Sequence, residues 1–243
     1  IHTNDLWKIK DFTVPVNTKD YSDIALMSYL EKLTVENAVN SQLHNITGLN
    51  ELTELRITNT SVPAEVLDSI AKLPKLKTLV LSNCSLSSVT PLSAATGLVH
   101  LDLSNNAIRS LEPIAALSGL KELILSRNAV DDLTALSNLK SLSKLDLSYN
   151  ALIDTTGISA LSGLTWLSVD NNTITEVNPI SSLTSLTYLS LNANKITDVS
   201  SLADCTELTE LSVANNQLTD ISNLSGLTKL SHLDFSNNQV ATI

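Results

Sequence analysis

The sequence is poor in the residues on which several common functions depend. Two cysteines in 243 residues are too few for the disulfide framework of a small secreted scaffold. Six glycines form no glycine-rich loop able to cradle a phosphate. Basic residues nearly vanish from the second half: between positions 145 and 243, ten Asp and Glu face only Lys195 and Lys229. That half carries −8 of the formal net charge of −10. A surface so acidic repels phosphate backbones, which excludes nucleic acid and anionic membrane surfaces as expected partners and favours a basic protein patch. No apolar run is long enough to span a bilayer, so no membrane insertion by this segment is expected. The chain starts at Ile1 without an initiator Met or a signal-type apolar region, and the expectation is a removed leader or a trimmed piece of a longer protein. The 43% hydrophobic content is enough for one large domain or two small ones with a sizeable core.

What the sequence does have is a repeat. LTWLSVDNNTITEVNPISSLTS, LTYLSLNANKITDVSSLADCTE and LTELSVANNQLTDISNLSGLTK follow one another without a gap from Leu164. With the first Leu as position 1, copies start at Leu76, Leu98, Leu120, Leu142, Leu164, Leu186, Leu208 and Leu230, each 22 residues after the last. Apolar residues recur at positions 1, 4, 6, 11, 14, 17 and 20, as Leu98, Leu101, Leu103, Ile108, Leu111, Ile114 and Leu117 illustrate. Alternation at positions 4 and 6 predicts a very short strand with those side chains in a core. The later spacing of three predicts a 3-10 or extended segment on the opposite side, because three residues per turn eclipses every third side chain. An earlier copy from Leu52 has 24 residues, with Leu67, Ile70 and Leu73 two positions late; its VPAEVLDSIAKL segment predicts a helix beginning at Pro63.

Position 9 is Asn106, Asn128, Asn150, Asn172, Asn194, Asn216 and Asn238, with Cys84 and Thr60 in the two preceding copies. The chain turns inward there, and an amide side chain offers donors and an acceptor to backbone groups that would otherwise be buried unpaired. These Asn are therefore expected to form a structural ladder. Position 13 is acidic in five consecutive copies, Asp132, Asp154, Glu176, Asp198 and Asp220. A column of hard oxygen ligands could take a cation such as calcium; capping of the following turn by each carboxylate is the preferred reading, because the column lacks the clustered ligands of a calcium loop. No cofactor is expected.

The pattern LxxLxLxxNxI followed by xDIxxLxxL, with ITDVSSL, LTDISNL and ITEVNPI as its clearest instances, resembles the leucine-rich repeats of bacterial internalins across residues 46 to 243. The fold class expected is α/β, a right-handed curved solenoid with a parallel concave sheet of about nine strands, a 3-10 or extended convex side and a small N-terminal helical cap in residues 1–45. TKDYSDIALMSYLEKL from Thr18 and TVENAVNSQL from Thr34 fit two short helices of that cap, with Ile24, Met27, Leu30 and Leu33 on one face. The resemblance implies an extracellular or bacterial cell-surface protein that binds a protein ligand, with a host-cell receptor among the candidates. An intracellular regulatory repeat scaffold and a structural spacer are the alternatives. The last copy stops at position 14, Ile243, so a longer parent protein is expected. A monomer is expected, with weak association through the uncapped C-terminal end as its one self-contact.

No enzyme is expected. His100 and His232 occupy position 3 of copies six apart, ~29 Å at the spacing of stacked strands, and Cys84 and Cys205 are ~24 Å apart by the same measure, beyond the reach of a disulfide. His2 and His44 complete the histidines. The outward positions of the concave sheet are the natural place for a ligand. There the candidates are His100, Asp102, Glu122, Ile124, Lys144, Asp146, Tyr149, Trp166, Asp170 and Tyr188, set among small polar residues such as Ser104, Ser126 and Ser148. Trp and Tyr bury much area with few rotatable bonds and so anchor interfaces. The competing reading is that Lys144, Trp166 and Tyr188 stack on one another and bind nothing.

Overall fold

The computed structural model describes residues 3–16, 18–38 and 40–241. Among them one sheet contains β1 (Asp11–Thr13), β2 (Lys32–Glu36), β3 (Glu54–Thr58), β4 (Thr78–Ser82), β5 (His100–Asp102), β6 (Glu122–Ile124), β7 (Lys144–Asp146), β8 (Trp166–Ser168), β9 (Tyr188–Ser190), β10 (Glu210–Ser212) and β11 (His232–Asp234). The strands lie in chain order and every neighbouring pair is parallel. Equivalent positions face one another, so Leu101 pairs with Leu123 and Leu123 with Leu145. From β2 to β10 the apolar residues of positions 4 and 6 are buried in one core that runs from Leu6 to Leu227, and Leu233 and Phe235 of the last copy pack half-buried against it. Parallel pairing with a spacing of 22 residues leaves no freedom of register, because a slip of one residue would turn every Leu outward.

The return path on the other side is a series of 3-10 turns, among them Glu112–Ala116, Thr134–Asn138, Asn178–Ser182 and Ser200–Asp204. Each closes with bonds of the type Ile114 N–H to Leu111 C=O, 2.9 Å, which sets positions 14, 17 and 20 on the core-facing side. Four of the five position-13 carboxylates cap turns of this series: Asp132, Asp154, Asp198 and Asp220 each accept the backbone N–H two residues on at 2.8 Å, and Glu176 makes no such bond among the described residues. Among the described residues no group of His, Cys, Asp and Glu is placed to hold a metal ion. The inserted residues of the long copy form α1 (Ala64–Ala71), with Pro63 at its N-cap and Val66, Leu67 and Ile70 buried.

The N-terminal region differs from the expected pair of helices. The segment from Thr18 holds a 3-10 turn at Ser22–Leu26, and the segment from Thr34 continues β2 and ends in a 3-10 turn at Asn40–Ile46. The sheet thus gains two strands over the nine expected, and sheet and core run unbroken through residue 45. The physical reason is that Ile24, Met27, Leu30 and Leu33 are spaced by three, which suits a 3-10 turn running into a strand better than the 3.6-residue period of an α-helix. Leu30, Leu33, Val35, Leu43, Ile46 and Leu49, all buried, also fill positions 1, 4, 6, 14, 17 and 20 of a copy set 22 residues before Leu52.

The chain leaves each strand through one left-handed residue. Position 8 has φ of 53–57° in ten successive copies, from Asn37 to Asn237. Seven are Asn, which tolerates that region; Arg127, Tyr149 and Ala193 do not share the tolerance. The Asn of position 9 follows at once. Asn172 Oδ1 accepts Leu152 N–H at 3.0 Å, and its Nδ2 donates to Leu147 C=O at 3.1 Å and Val169 C=O at 2.9 Å. Asn194 repeats the pattern with Ile174, Val169 and Leu191, so the Val169 carbonyl receives two successive amides. Asn106, Asn128, Asn150, Asn216 and Asn238 make equivalent bonds. Cys84 keeps only the donor half of this role, toward Ile57 C=O at 3.2 Å. Its missing acceptor costs nothing, because Val62 N–H is taken instead by the Cys84 backbone carbonyl.

Candidate functional site

Position 3 of each strand points out of the concave sheet, and register alone brings those side chains into a row. At its start Glu54 accepts from Arg56 Nε at 2.6 Å, with Lys32 Nζ 3.6 Å away. Further along, Glu122 sits between Lys144 Nζ at 2.7 Å and His100 Nδ1 at 3.1 Å. The hydrogen bond from Lys144 is the largest influence on Glu122; with that of His100 it outweighs partial burial and holds the carboxyl below its usual range. Lys144 Nζ also lies 5.3 Å from the centre of the Trp166 ring, and Trp166 stacks on Tyr188 with centroids 4.8 Å apart and planes 3° from parallel. His100, Glu122, Lys144, Trp166 and Tyr188 therefore form one continuous chain of contacts over five strands. Trp166 is half-buried in it, with Tyr188 on one face and the Lys144 ammonium by the other.

Beside this row the floor is low. Ser168 and Ser190 are buried, and three of the carboxylates expected to face a ligand, each half-buried, also bond the sheet. Asp102 accepts Ser104 N–H at 2.8 Å, Asp146 accepts Ser148 N–H at 2.9 Å, and Asp170 accepts the Ser190 hydroxyl at 2.6 Å and Asn192 N–H at 2.7 Å. Ile124 is half-buried and Val80 buried. Both line a depression of about 310 Å³ with Glu54, Arg56, His100 and Asp102. At the far edge Tyr149 is 45% exposed, and the Arg127 guanidinium lies 4.1 Å from its ring centre. Arg127 was not legible as a site residue, although its place at position 8 of the copy before Tyr149 was a signal for it.

His100 and His232 stand on β5 and β11, six strands apart, and His2 lies outside the described residues. Cys84 and Cys205 are unpaired and wholly buried, and burial pushes both thiols up to about 11. No helix of the described residues is long and apolar enough to cross a membrane.

Comparison with known proteins places this architecture. The model described as "Leucine Rich repeats (2 copies)" matches residues 74–117, 162–204 and 206–243, and a second, "Leucine rich repeat", matches 96–152. The chain belongs to the leucine-rich repeat family, whose fold is a protein-interaction scaffold and typically not an enzyme. Within that family it is internalin-like. An internalin C2 of Listeria monocytogenes is 33% identical with a TM-score of 0.67, over 75% of this chain and 78% of that one. Internalin InlF of the same organism is 28% identical with a TM-score of 0.87, over 100% of this chain and 72% of that one. A leucine-rich repeat protein of Leptospira interrogans is 27% identical with a TM-score of 0.82, over 94% of this chain and 58% of that one. No curated protein matches by sequence.

Proposed function

We propose that this chain is the ligand-binding module of a secreted or cell-surface bacterial protein and that it engages a protein partner, such as a host-cell receptor, through its concave face. The observation that carries this reading is the row His100, Glu122, Lys144, Trp166 and Tyr188. It gathers the two bulkiest concave side chains and fixes them by stacking and charge before any partner arrives. Pre-fixed aromatic groups lose little entropy on binding, and the low serine floor beside them leaves room for a partner to sit deep. Tyr149 and Arg127 bound the same trough on its other edge, and the depression over Val80 and Ile124 extends it toward β4. The internalin-like relatives support a bacterial surface setting, and the acidic second half favours a basic partner surface. The test is capture of solubilised host-cell surface proteins by the immobilised chain. Replacing both Trp166 and Tyr188 by Ala is expected to cut capture more than tenfold while the thermal midpoint stays within a few degrees. Undiminished capture by that variant would move the binding surface elsewhere.

A further inference from the structure

Two aromatic rings on the concave face carry a cation: Arg127 Cζ lies 4.1 Å from the ring centre of Tyr149, and Lys144 Nζ lies 5.3 Å from that of Trp166. In both cases the cation comes from the neighbouring copy at the same repeat position. Tyr188 has no such cation among the described residues. One of its faces is covered by Trp166; because the two planes are within 3° of parallel, the other turns away from Trp166 toward the next strand. The residue paired with it there is Glu210. Glu210 is exposed and makes no ion pair among the described residues, whereas its equivalents in the row are engaged, Glu54 by Arg56 and Lys32 and Glu122 by Lys144 and the His100 ring. A ring face and a carboxylate are both electronegative, so their adjacency is unfavourable until a cation lies between them.

We propose that Tyr188 and Glu210 form a slot for an arginine of the protein partner, its guanidinium lying flat on the open Tyr188 face and pairing with the Glu210 carboxylate. This rests on the concave-face reading above and gives its partner a chemistry. Guanidinium fits better than ammonium because it is planar, stacks on rings and binds a carboxylate through two parallel N–H groups. The molecule already contains such a contact, in Arg127 on Tyr149. The charge of the second half, ten acidic residues against two lysines, adds a field that draws such a group in.

The test uses N-acetyl-arginine amide as the probe and isotope-labelled tyrosine rings as the readout in NMR. The four tyrosines supply their own controls: Tyr21 is buried, Tyr29 packs on Trp7, and Tyr149 already carries Arg127. The expected result is a dose-dependent shift of Tyr188 that exceeds those of the other three, weakened about threefold by Glu210→Gln and abolished by Glu210→Lys, whose new ammonium would fill the slot as Lys144 covers Trp166. Equal shifts at Tyr149 and Tyr188, or a Tyr188 response indifferent to Glu210→Gln, would overturn the slot. This readout needs no partner, so it stands apart from the capture experiment: capture that depends on Trp166 and Tyr188 beside a silent Tyr188 titration would sink the slot alone, and capture indifferent to both residues would sink the concave-face reading.

Discussion

Asn172→Ala is the most informative single change to the scaffold, because the ladder geometry specifies which backbone groups lose a partner and which do not. The Leu152 N–H loses the Asn172 Oδ1 acceptor, in surroundings where Leu152 is 1% exposed. The two carbonyls do not become orphans: Leu147 C=O keeps Asn150 Nδ2 at 3.0 Å and Val169 C=O keeps Asn194 Nδ2 at 3.1 Å. One stranded buried N–H costs about 1–3 kcal/mol, and the lost bonds and the small cavity raise the expected destabilisation to ~2–4 kcal/mol. Adding Asn194→Ala removes the second donor from Val169 C=O, so the pair is expected to exceed the sum of the two single changes by ~0.5–2 kcal/mol. Urea unfolding gives the energies, and amide hydrogen exchange gives the location, with Leu152 losing protection in the Asn172 variant and Ile174 in the Asn194 variant. Additive energies, or a Leu152 amide as protected as before, would refute the two-amide account of the ladder.

Three further outcomes follow from particular contacts. Thr155 stands at a core position, 0% exposed, with a hydroxyl that has no hydrogen-bond partner among the described residues; Thr155→Val keeps the shape, removes that hydroxyl and is expected to raise stability by ~1–2 kcal/mol in urea unfolding. Gly157 lets the chain approach the previous copy so closely that an added Cβ would stand 2.2 Å from the Leu133 carbonyl carbon, whereas at Gly163 the nearest atom would be Lys140 O at 3.6 Å. Gly157→Ala is therefore expected to destabilise by ~2–4 kcal/mol and Gly163→Ala by under ~1 kcal/mol, read from thermal unfolding. The folded-state carboxyl of Glu122 titrates below its ordinary 4.5, so the stability it supplies is present above that pH and is lost as the pH falls through the lowered value. Glu122→Gln should flatten the fall in unfolding free energy measured across that acidic window and leave the curve unchanged at neutral pH apart from a constant offset.

The register of the sheet was open to reading because a 22-residue period admits one alignment, and once strands stack in that alignment the membership of each row follows. The second strand was hidden for a specific reason. Ala38 stands where the ladder Asn belongs and Asn40 where position 11 is apolar, so the copy from Leu30 lacks the LxxLxLxxNxI signature, and its remaining three-residue spacing imitates a helix face. The orientation of the aromatic rings was not readable at all. Sequence places Trp166 between Lys144 and Tyr188, but only side-chain torsions decide that both Trp166 faces are engaged while Tyr188 keeps one open toward Glu210. Nor does composition reveal that Arg127 and Tyr149 sit in left-handed backbone, a conformation their side chains do not favour and one that holds them together at the trough edge.

The central claim is that the concave face is the binding side, and cross-linking from fixed points on the molecule tests it most directly. A photoreactive side chain is placed at Ser212, on the concave floor of β10, and in a second protein at Thr184, exposed on the far side of the solenoid. Both are irradiated on host cells, with an excess of the unlabelled chain as competitor and with Trp166→Ala and Tyr188→Ala introduced together in parallel. The account predicts a discrete, competed adduct from position 212 that disappears with the two aromatic residues and has no counterpart at position 184. A competed adduct from position 184 that survives their loss would contradict it.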